Sequence, residues 1–318
     1  MDRVLTVLRA GPLTVITDLG RPGLAHLGVP RSGALDRPAL RLSNRMVGNN
    51  EGAAGCEVLG GGLVLRAEVG CVVAVTGAPV PLLLQRDGSV RRDGPVRRGG
   101  LGERGGLGER GGSGRPVGSH RAVYLAAGDV LELGAPVFGA RSYLAVSGGI
   151  AVAEVLGSRS TDLLSGLGPQ PLCDGDRLPI GALLGSQPEC EPVVPWSVPA
   201  APLSVPVWLG PRDDWFTDPA AMLRAGAWTV GSASNRIGLR LEGSALARTE
   251  GRRGAELLTE PMFPGVVQVP PNGQPVIFLA DGPTTGGYPV IGVVPPAALA
   301  ALAQLLPGAP VRMRPALA

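Results

Sequence analysis

The sequence predicts a mainly β protein with a few short helices, and three observations support this prediction. Short runs of aliphatic and β-branched residues recur along the chain, separated by 50 glycines and 32 prolines. Helical spacing of apolar residues is clear only at 37–47 and 296–306, with a shorter helix starting near Asp218. Aromatic residues make up 3% of the chain, so aliphatic side chains must form the core. Many short strands with glycine and proline turns are typical of β-barrels and related all-β folds.

The first part of the chain contains one helix among several strands. We predict strands at 4–8, 13–16, 63–67, 71–76, 123–125, 130–133 and 143–146. Asp36 is placed as the N-cap of the helix at 37–47, with Pro38 in the first turn and Gly48 at the end. Glu57 stands in the short apolar run CEVL, where we expect it to project from a strand with buried neighbours.

Residues 86–119 differ in composition from the rest of the chain. The six-residue unit RGGLGE occurs twice, at 98–103 and 104–109, among very few apolar side chains. Such a segment cannot bury enough surface to offset its chain entropy, so we predict a disordered Arg/Gly insert. The GxGxxG pattern within it has no strand before it and no helix after it, and therefore does not indicate a dinucleotide site.

A proline-dense stretch at 187–206 predicts an extended crossover between two units, 1–190 and 191–318. In the second unit we predict strands at 205–209, 228–230, 239–242, 266–269 and 276–279. The last two form a hairpin around Asn272-Gly273, a pair that tight hairpin turns favour.

Composition excludes several classes of function. The chain has no lysine, so it carries no Walker A phosphate loop, no Schiff-base lysine and no biotinylation site, and a partner must supply ATP or biotin chemistry. The +3 net charge is concentrated in the insert, which disfavours nucleic-acid binding. No apolar run reaches the length of about 20 residues that a membrane span needs, and we expect a cytoplasmic protein. The four cysteines lack CxxC spacing and are expected to be buried free thiols without metal: Cys56, Cys71, Cys173 and Cys190.

The strongest candidate site is the loop that follows the hairpin. It supplies an acid, three hydroxyls and two adjacent glycines: Asp281, Thr284, Thr285, Gly286, Gly287 and Tyr288. Paired glycines let the backbone approach a ligand and turn N–H groups toward it, as an oxyanion or phosphate site requires. A well-capped hairpin loop without a ligand has the same residues, so both interpretations stand.

Longer motifs carry a family resemblance. They are GVVQVPPNGQPVIFLADGPTTGGYP at 265–289, GVPRSGALDRPALRLSNRMVGN at 28–49, RSYLAVSGGI at 141–150, SNRIGLRLEG at 234–243 and the weaker GSRSTDL at 157–163. The chain resembles the family of the 5-oxoprolinase C subunit, also called allophanate hydrolase subunit 2, and is similar to part of the carboxyltransferase region of urea carboxylase. This resemblance implies two cyclophilin-like β-barrel units.

Residue types and settings suggest further site candidates, and the resemblance adds support for Ser32, Asp36 and Asn49. Asp281 and Glu57 become candidates for catalytic acid or base. Besides the residues of the hairpin loop, the candidates for substrate binding are Ser32, Asp36, Asn49, Asn235, Arg236, Gln268 and Gln274. Purely structural roles remain open, because Asp36 caps a helix, Ser32 can hold a turn, and Arg236 can lock its loop rather than pair a substrate carboxylate.

For function, the resemblance implies a subunit that helps to open the lactam of 5-oxoproline to glutamate at the expense of ATP. It implies a complex with a subunit-B-like protein, two copies of each, and with a subunit-A-like lactam hydrolase. One alternative is carboxyl transfer to a urea-like amide from biotin carried on another chain. Another is a non-enzymatic regulator of a kinase-inhibitor-like partner. Val290 after GGYP, where the family has a basic residue, and Thr17 before Asp18 depart from the family pattern.

Overall fold

The structure, a computed structural model, describes residues 3–86, 114–183 and 201–316. Its α-helices are α1 (Arg37–Met46), α2 (Pro219–Ala225) and α3 (Pro296–Ala303). The strands before residue 184 are β1 (Val4–Arg9), β2 (Leu13–Thr17), β3 (Gly55–Leu59), β4 (Val64–Ala67), β5 (Cys71–Gly77), β6 (Pro81–Gln85), β7 (Arg115–Gly118), β8 (Ala122–Leu125), β9 (Val130–Leu133), β10 (Arg141–Val146) and β11 (Arg177–Pro179). The later strands are β12 (Leu203–Leu209), β13 (Trp228–Val230), β14 (Gly238–Gly243), β15 (Glu260–Pro261), β16 (Val266–Gln268), β17 (Val276–Phe278), β18 (Thr285–Gly286), β19 (Val290–Val293) and β20 (Pro310–Ala316). The predicted mainly β class is confirmed.

The N-terminal half consists of two sheets that share one aliphatic core. One sheet has six strands in the order β11-β1-β4-β9-β6-β7, and the other has five in the order β2-β3-β10-β5-β8. Cys56 and Cys71 lie in this core, where burial raises the pKa of their thiols to about 12 and about 11. Cys173 is exposed, against the expectation of burial, because it lies in a surface loop; Cys190 lies outside the described residues.

The C-terminal half is a closed barrel of seven strands, in the order β12-β19-β16-β17-β14-β13-β20. Its core is formed by aliphatic side chains with three large aromatic rings, Trp215, Phe216 and Trp228. The predicted hairpin is confirmed, since β16 pairs antiparallel with β17 and Val267 lies opposite Ile277. Gly273 in the connecting turn has a φ of 74°, a conformation that favours glycine.

Two sequence predictions near the ends of the described ranges are corrected. Residues 115–118, inside the range predicted as disordered, form β7 and pair with β6, with Val117 opposite Leu82. The predicted crossover at 187–206 overlaps β12, which starts at Leu203. The rest of the insert, 87–113, and the proposed boundary between residues 190 and 191 lie outside the described residues.

Helix α1 and the residue after α3 join the two halves. Helix α1 packs against β5 and β10, and Asp36 caps it as predicted, accepting a hydrogen bond from the backbone N–H of Ala39 at 3.0 Å. The other carboxylate oxygen of Asp36 accepts from the Gln304 amide at 2.8 Å. Gln304 follows α3, so this contact ties the barrel to the cap of α1. Burial raises the pKa of Asp36.

A buried guanidinium makes the main polar connection between the halves. Arg236, 1% exposed, donates through Nε and Nη2 to the two carboxylate oxygens of Asp281, at 2.8 and 2.9 Å. Its Nη1 donates to Glu57 Oε1 at 2.5 Å, and its Nη2 also donates to the Gly33 carbonyl at 2.8 Å. Because Glu57 lies on β3 and Arg236 precedes β14, this pair links the two halves directly.

The carboxylate oxygens of this cluster are fully hydrogen-bonded. Glu57 Oε2 accepts from the Tyr143 hydroxyl and the Leu35 N–H, at 2.8 and 3.1 Å. Asp281 accepts from the Ser32 hydroxyl at 3.0 Å and the Leu163 N–H at 3.1 Å. Burial alone would raise the pKa of Glu57, but the charges of Arg236 and Arg141 hold it below its usual value. Glu57 therefore stays ionised at neutral pH.

We expect deletion of residues 91–113 to change the free energy of unfolding by less than about 1 kcal/mol, because loop closure entropy depends weakly on length. The shortened connection still joins β6 to β7. Thermal unfolding of the purified variant measures this. As a control, a deletion extended to residue 118 removes β7 from the sheet edge and should lower the melting temperature clearly. An equal loss in both variants would contradict the expectation.

We expect Arg236→Met to lower the free energy of unfolding by about 3–5 kcal/mol, since it leaves buried Asp281 without its cation and leaves Glu57 with only Arg141, whose Nε lies 3.4 Å from Glu57 Oε1. Arg240→Met is the matched control, because Arg240 is exposed on β14 and its substitution should stay within about 0.5 kcal/mol. Urea titration of both variants provides the comparison. Similar small losses in the two proteins would show that the cluster contributes little.

Candidate functional site

The structure places the predicted site residues in two separate regions. Glu57, Arg236, Asp281 and Ser32 meet in the buried cluster between the halves. The end of the hairpin loop lies instead at the surface of the barrel, where Tyr288 is 45% exposed. The loop therefore begins in one region and ends in the other.

The two predicted catalytic acids are both deeply buried. Glu57 is 3% exposed and Asp281 is 0% exposed, and their oxygens are occupied by the contacts described above. Arg236 likewise directs its guanidinium to protein carboxylates and a carbonyl. This geometry favours structural roles for the three residues. Their catalytic and substrate-binding roles remain predictions.

Ser32, Asp36 and Asn49 also have protein partners. Ser32 has a φ of 54°, which few non-glycine residues adopt, and its single hydroxyl proton is shared between the Thr161 carbonyl at 2.9 Å and the Asp281 carboxylate at 3.0 Å. Asn49 donates to the Val146 carbonyl and accepts from the Gly148 N–H, each at 2.8 Å, which ties the end of α1 to the end of β10. These contacts account for the residues without a ligand, and their role in binding stays a prediction.

The remaining amide side chains stabilise turns. Asn235 is exposed and accepts from the Ile237 N–H at 2.8 Å. Gln274 accepts from the Gly243 N–H at 2.8 Å and donates to its carbonyl at 3.2 Å, which fixes the hairpin turn to β14. Gln268 is buried and donates to the Tyr288 carbonyl at 3.2 Å. Gln268 and Gln274 thus position the two loops that border the surface pocket described below.

The two glycines of the loop have different uses. Gly286 pairs with Glu260 between β18 and β15, and its φ is not positive. A Cβ atom at this position would lie 2.5 Å from the Gln268 amide nitrogen, so a larger residue would displace the Gln268 side chain. Thr284 is half-buried and its carbonyl accepts from the Met262 N–H, whereas Thr285 on β18 is exposed. Gly287 leads directly into the surface pocket.

The surface pocket has a volume of about 700 Å³ and lies between the hairpin turn and the end of the loop. Gly287 and Tyr288 line one part of it, and the Pro271-Asn272-Gly273 turn lines another. The chain segments 245–248 and 253–257 complete the wall. The pocket therefore contains two elements that the sequence identified separately, the hairpin turn and the loop.

Arginines give the pocket a positive character. Arg248 is held by the carbonyls of Ala255 and Val269, at 3.2 and 3.3 Å, and lies 5.6 Å from the Trp215 ring centroid. Arg253 and Glu256 are exposed and form no ion pair with any residue in the described ranges. The guanidinium groups of Arg248 and Arg253 can bind an anion. The Tyr288 hydroxyl can donate to a carbonyl, and the Glu256 carboxylate can exchange a proton.

Sequence reasoning missed Arg248, Arg253 and Glu256 as site residues. They lie in ARTEGRRGAE at 247–256, a loop without strand or helix periodicity. The basic run was the available signal, but its position beside Tyr288 depends on the closed barrel. In the described ranges no group of three or more His, Cys, Asp or Glu side chains is arranged to hold a metal ion. No helix in those ranges is long and apolar enough to cross a membrane.

Residues 27–315 match a family described as "Carboxyltransferase domain, subdomain A and B". The chain is 37% identical to the 5-oxoprolinase C subunit of Escherichia coli over 97% of this chain and 90% of that protein. The crystal structure of TTHA0988 superposes with a TM-score of 0.80 at 31% identity, covering 98% of this chain and 56% of that one. Urea carboxylase of Kluyveromyces lactis superposes with a TM-score of 0.81 at 26% identity, covering 99% of this chain and 27% of that one.

The family match covers most of the chain, and the likeness to the E. coli protein extends over nearly the whole of both proteins. The mainly β architecture agrees with that of the structural neighbours. The chain therefore belongs to the carboxyltransferase-domain family, subdomains A and B, which includes the 5-oxoprolinase C subunit.

Proposed function

We propose that the chain is the C subunit of an ATP-dependent 5-oxoprolinase, which opens the lactam of 5-oxoproline to glutamate. The observation that carries this proposal is the similarity to the E. coli protein over 97% of this chain and 90% of its relative. The urea carboxylase likeness covers only 27% of a much longer protein. We also propose a cytoplasmic location.

The pocket beside Tyr288 is our candidate for the substrate site. 5-Oxoproline carries one carboxylate and one lactam carbonyl. In our proposal Arg253, with Arg248 beside it, binds the carboxylate, because a guanidinium matches that group with two parallel hydrogen bonds. The Tyr288 hydroxyl donates to the lactam oxygen, where negative charge develops when the carbonyl is attacked. In the same proposal Glu256, which also lines the pocket, exchanges a proton with water or with the ring nitrogen.

Partner chains complete this reaction in our proposal. The chain has no lysine for a phosphate loop, so ATP is held elsewhere in the complex. We expect a subunit-B-like protein, with two copies of each chain, and a subunit-A-like lactam hydrolase. The E. coli and Haemophilus influenzae relatives are themselves named as subunits, which supports a multi-chain assembly.

A carboxyltransferase component of a biotin-dependent urea or amide carboxylase is the second candidate. The structural likeness to K. lactis urea carboxylase, with a TM-score of 0.81, favours it. Polarising a ureido carbonyl uses the same donors as polarising a lactam. Biotin would then be carried by another chain. A regulator that binds a kinase-inhibitor-like partner remains the non-enzymatic alternative, and it requires complex formation without turnover.

We expect coexpression with the neighbouring subunit-like genes to give a stable complex that releases glutamate from 5-oxoproline only when ATP is present. Size-exclusion chromatography with light scattering measures the assembly, and an enzymatic glutamate assay measures the turnover. Urea with bicarbonate and a biotinylated carrier is the parallel assay. ATP-dependent consumption of urea without glutamate release would select the carboxylase instead, and assembly without either activity would select the regulator.

We expect Tyr288→Phe and Arg253→Gln each to lower kcat/KM of the assembled complex by about tenfold or more, since a factor of ten corresponds to about 1.4 kcal/mol of transition-state stabilisation. Both side chains are exposed, so the free energy of unfolding should change by less than about 0.5 kcal/mol. Tyr124→Phe and Arg240→Gln, at exposed positions away from the pocket, are the matched controls. Full activity of all four variants would place the substrate site elsewhere.

A further inference from the structure

A second cavity, of about 300 Å³, lies where the loop before α1 meets the barrel and α3. From the N-terminal half it is lined by residues 31, 34, 35, 37 and 38. From the C-terminal half it is lined by barrel residues and by the first turns of α3. It shares no lining residue with the pocket beside Tyr288.

The wall of this cavity is largely apolar. It is formed by aromatic, aliphatic and proline side chains, of which the largest are Leu35, Trp208, Phe263, Leu279 and Leu299. Phe263 is 53% exposed although it is a large hydrophobic residue. A volume of 300 Å³ equals the share of about ten water molecules in the liquid. This is enough for one ring or a short branched chain.

Two arginines at this cavity have no counter-ion in the described ranges. Arg31 is exposed and Arg37 is half-buried, and neither forms a hydrogen bond or an ion pair through its side chain with any described residue. Burial lowers the pKa of Arg37 to about 10, and the positive charges of Arg31 and Arg41 contribute to the same shift. Arg37 nevertheless remains charged at neutral pH. A bound anion would offset the cost of burying the Arg37 charge and would reduce its repulsion from Arg31.

Two helices also begin at this cavity. Arg37 is the first residue of α1, and Pro296, which lines the cavity, is the first residue of α3. No side chain caps the N-terminus of α3, and its first turn contains no acidic residue. The N-terminal end of a helix attracts negative charge. The N-terminus of α1 is already capped by the Asp36 carboxylate, so only the end of α3 adds to the two unpaired arginines, which are the primary observation.

We infer that this cavity is a binding site for a small organic anion, with an apolar ring or branched chain against Trp208 and Leu299 and a carboxylate or phosphate on Arg31 and Arg37. The ligand would contact both halves of the protein, so its binding stabilises their junction. This site is additional to the substrate pocket beside Tyr288 and does not depend on the proposed reaction.

Isothermal titration of the full-length protein tests this inference with four probes. Benzoate and phenyl phosphate carry a ring and an anion, inorganic phosphate lacks the ring, and benzyl alcohol lacks the charge. We expect benzoate or phenyl phosphate to bind once per chain, at least tenfold more tightly than either incomplete probe, and to raise the melting temperature. Whichever of benzoate and phenyl phosphate binds more tightly shows whether the site prefers a carboxylate or a phosphate. Absence of saturable binding by both would overturn the inference.

Variants locate the bound probe. Arg37→Gln should weaken binding about tenfold or more, whereas Arg41→Gln, on the exposed side of α1, removes the same charge and should weaken it less than about twofold. Arg31→Gln in the exposed loop serves if Arg37→Gln does not fold. If Arg41→Gln weakens binding as much as Arg37→Gln does, or as much as Arg31→Gln where that variant is used instead, the inference is overturned. The probe would then be attracted by general positive charge. Loss of binding in Arg253→Gln alone would also overturn it, because the probe would then lie beside Tyr288.

Discussion

The structure depends on one guanidinium that is shared by two carboxylates from different halves of the chain. Arg236 binds Asp281 through two hydrogen bonds and Glu57 through a third, with almost no exposure to solvent. Desolvating three charges is costly, and such clusters often add little net stability compared with apolar packing. Their geometry is nevertheless specific, because a displaced carboxylate would be left buried and unpaired. The cluster thus fixes how the barrel sits against the N-terminal sheets.

This anchor constrains both proposed binding regions. The hairpin loop leaves the cluster at Asp281 and reaches the surface pocket at Tyr288, seven positions later in the chain. On the other side, Ser32 donates to Asp281, and the neighbouring Arg31 lines the cavity at the junction. A displacement of Asp281 would therefore move parts of both regions. In our proposal the buried cluster affects function by positioning these two regions, without contacting a ligand.

Local patterns predicted much of the fold but not the burial of its charges. The N-cap at Asp36, helix α1 and the hairpin of β16 and β17 follow from residues close in sequence, and all were predicted. Strand β20 contains two prolines, which argue against a strand, and it forms by pairing with β12 about 110 residues earlier. Glu57 and Arg236 are 179 positions apart, and no local signal shows that they meet. Arg253 and Glu256 were missed for the same reason, because only the folded barrel places them beside Tyr288.

The exposed setting of the surface pocket bears on how the chain acts. Tyr288 is 45% exposed, and Leu258, next to the lining residue Leu257, is 89% exposed. In such a setting water screens the charges of Arg253 and Glu256, and fixed donors stabilise a developing oxyanion far less than in a dry site. If 5-oxoproline is opened in this pocket, as we propose, the pocket therefore needs a cover. A partner chain that packs against Leu258 and Tyr288 would supply it, and assembly would then be a condition for catalysis as well as a way to bring ATP to the substrate.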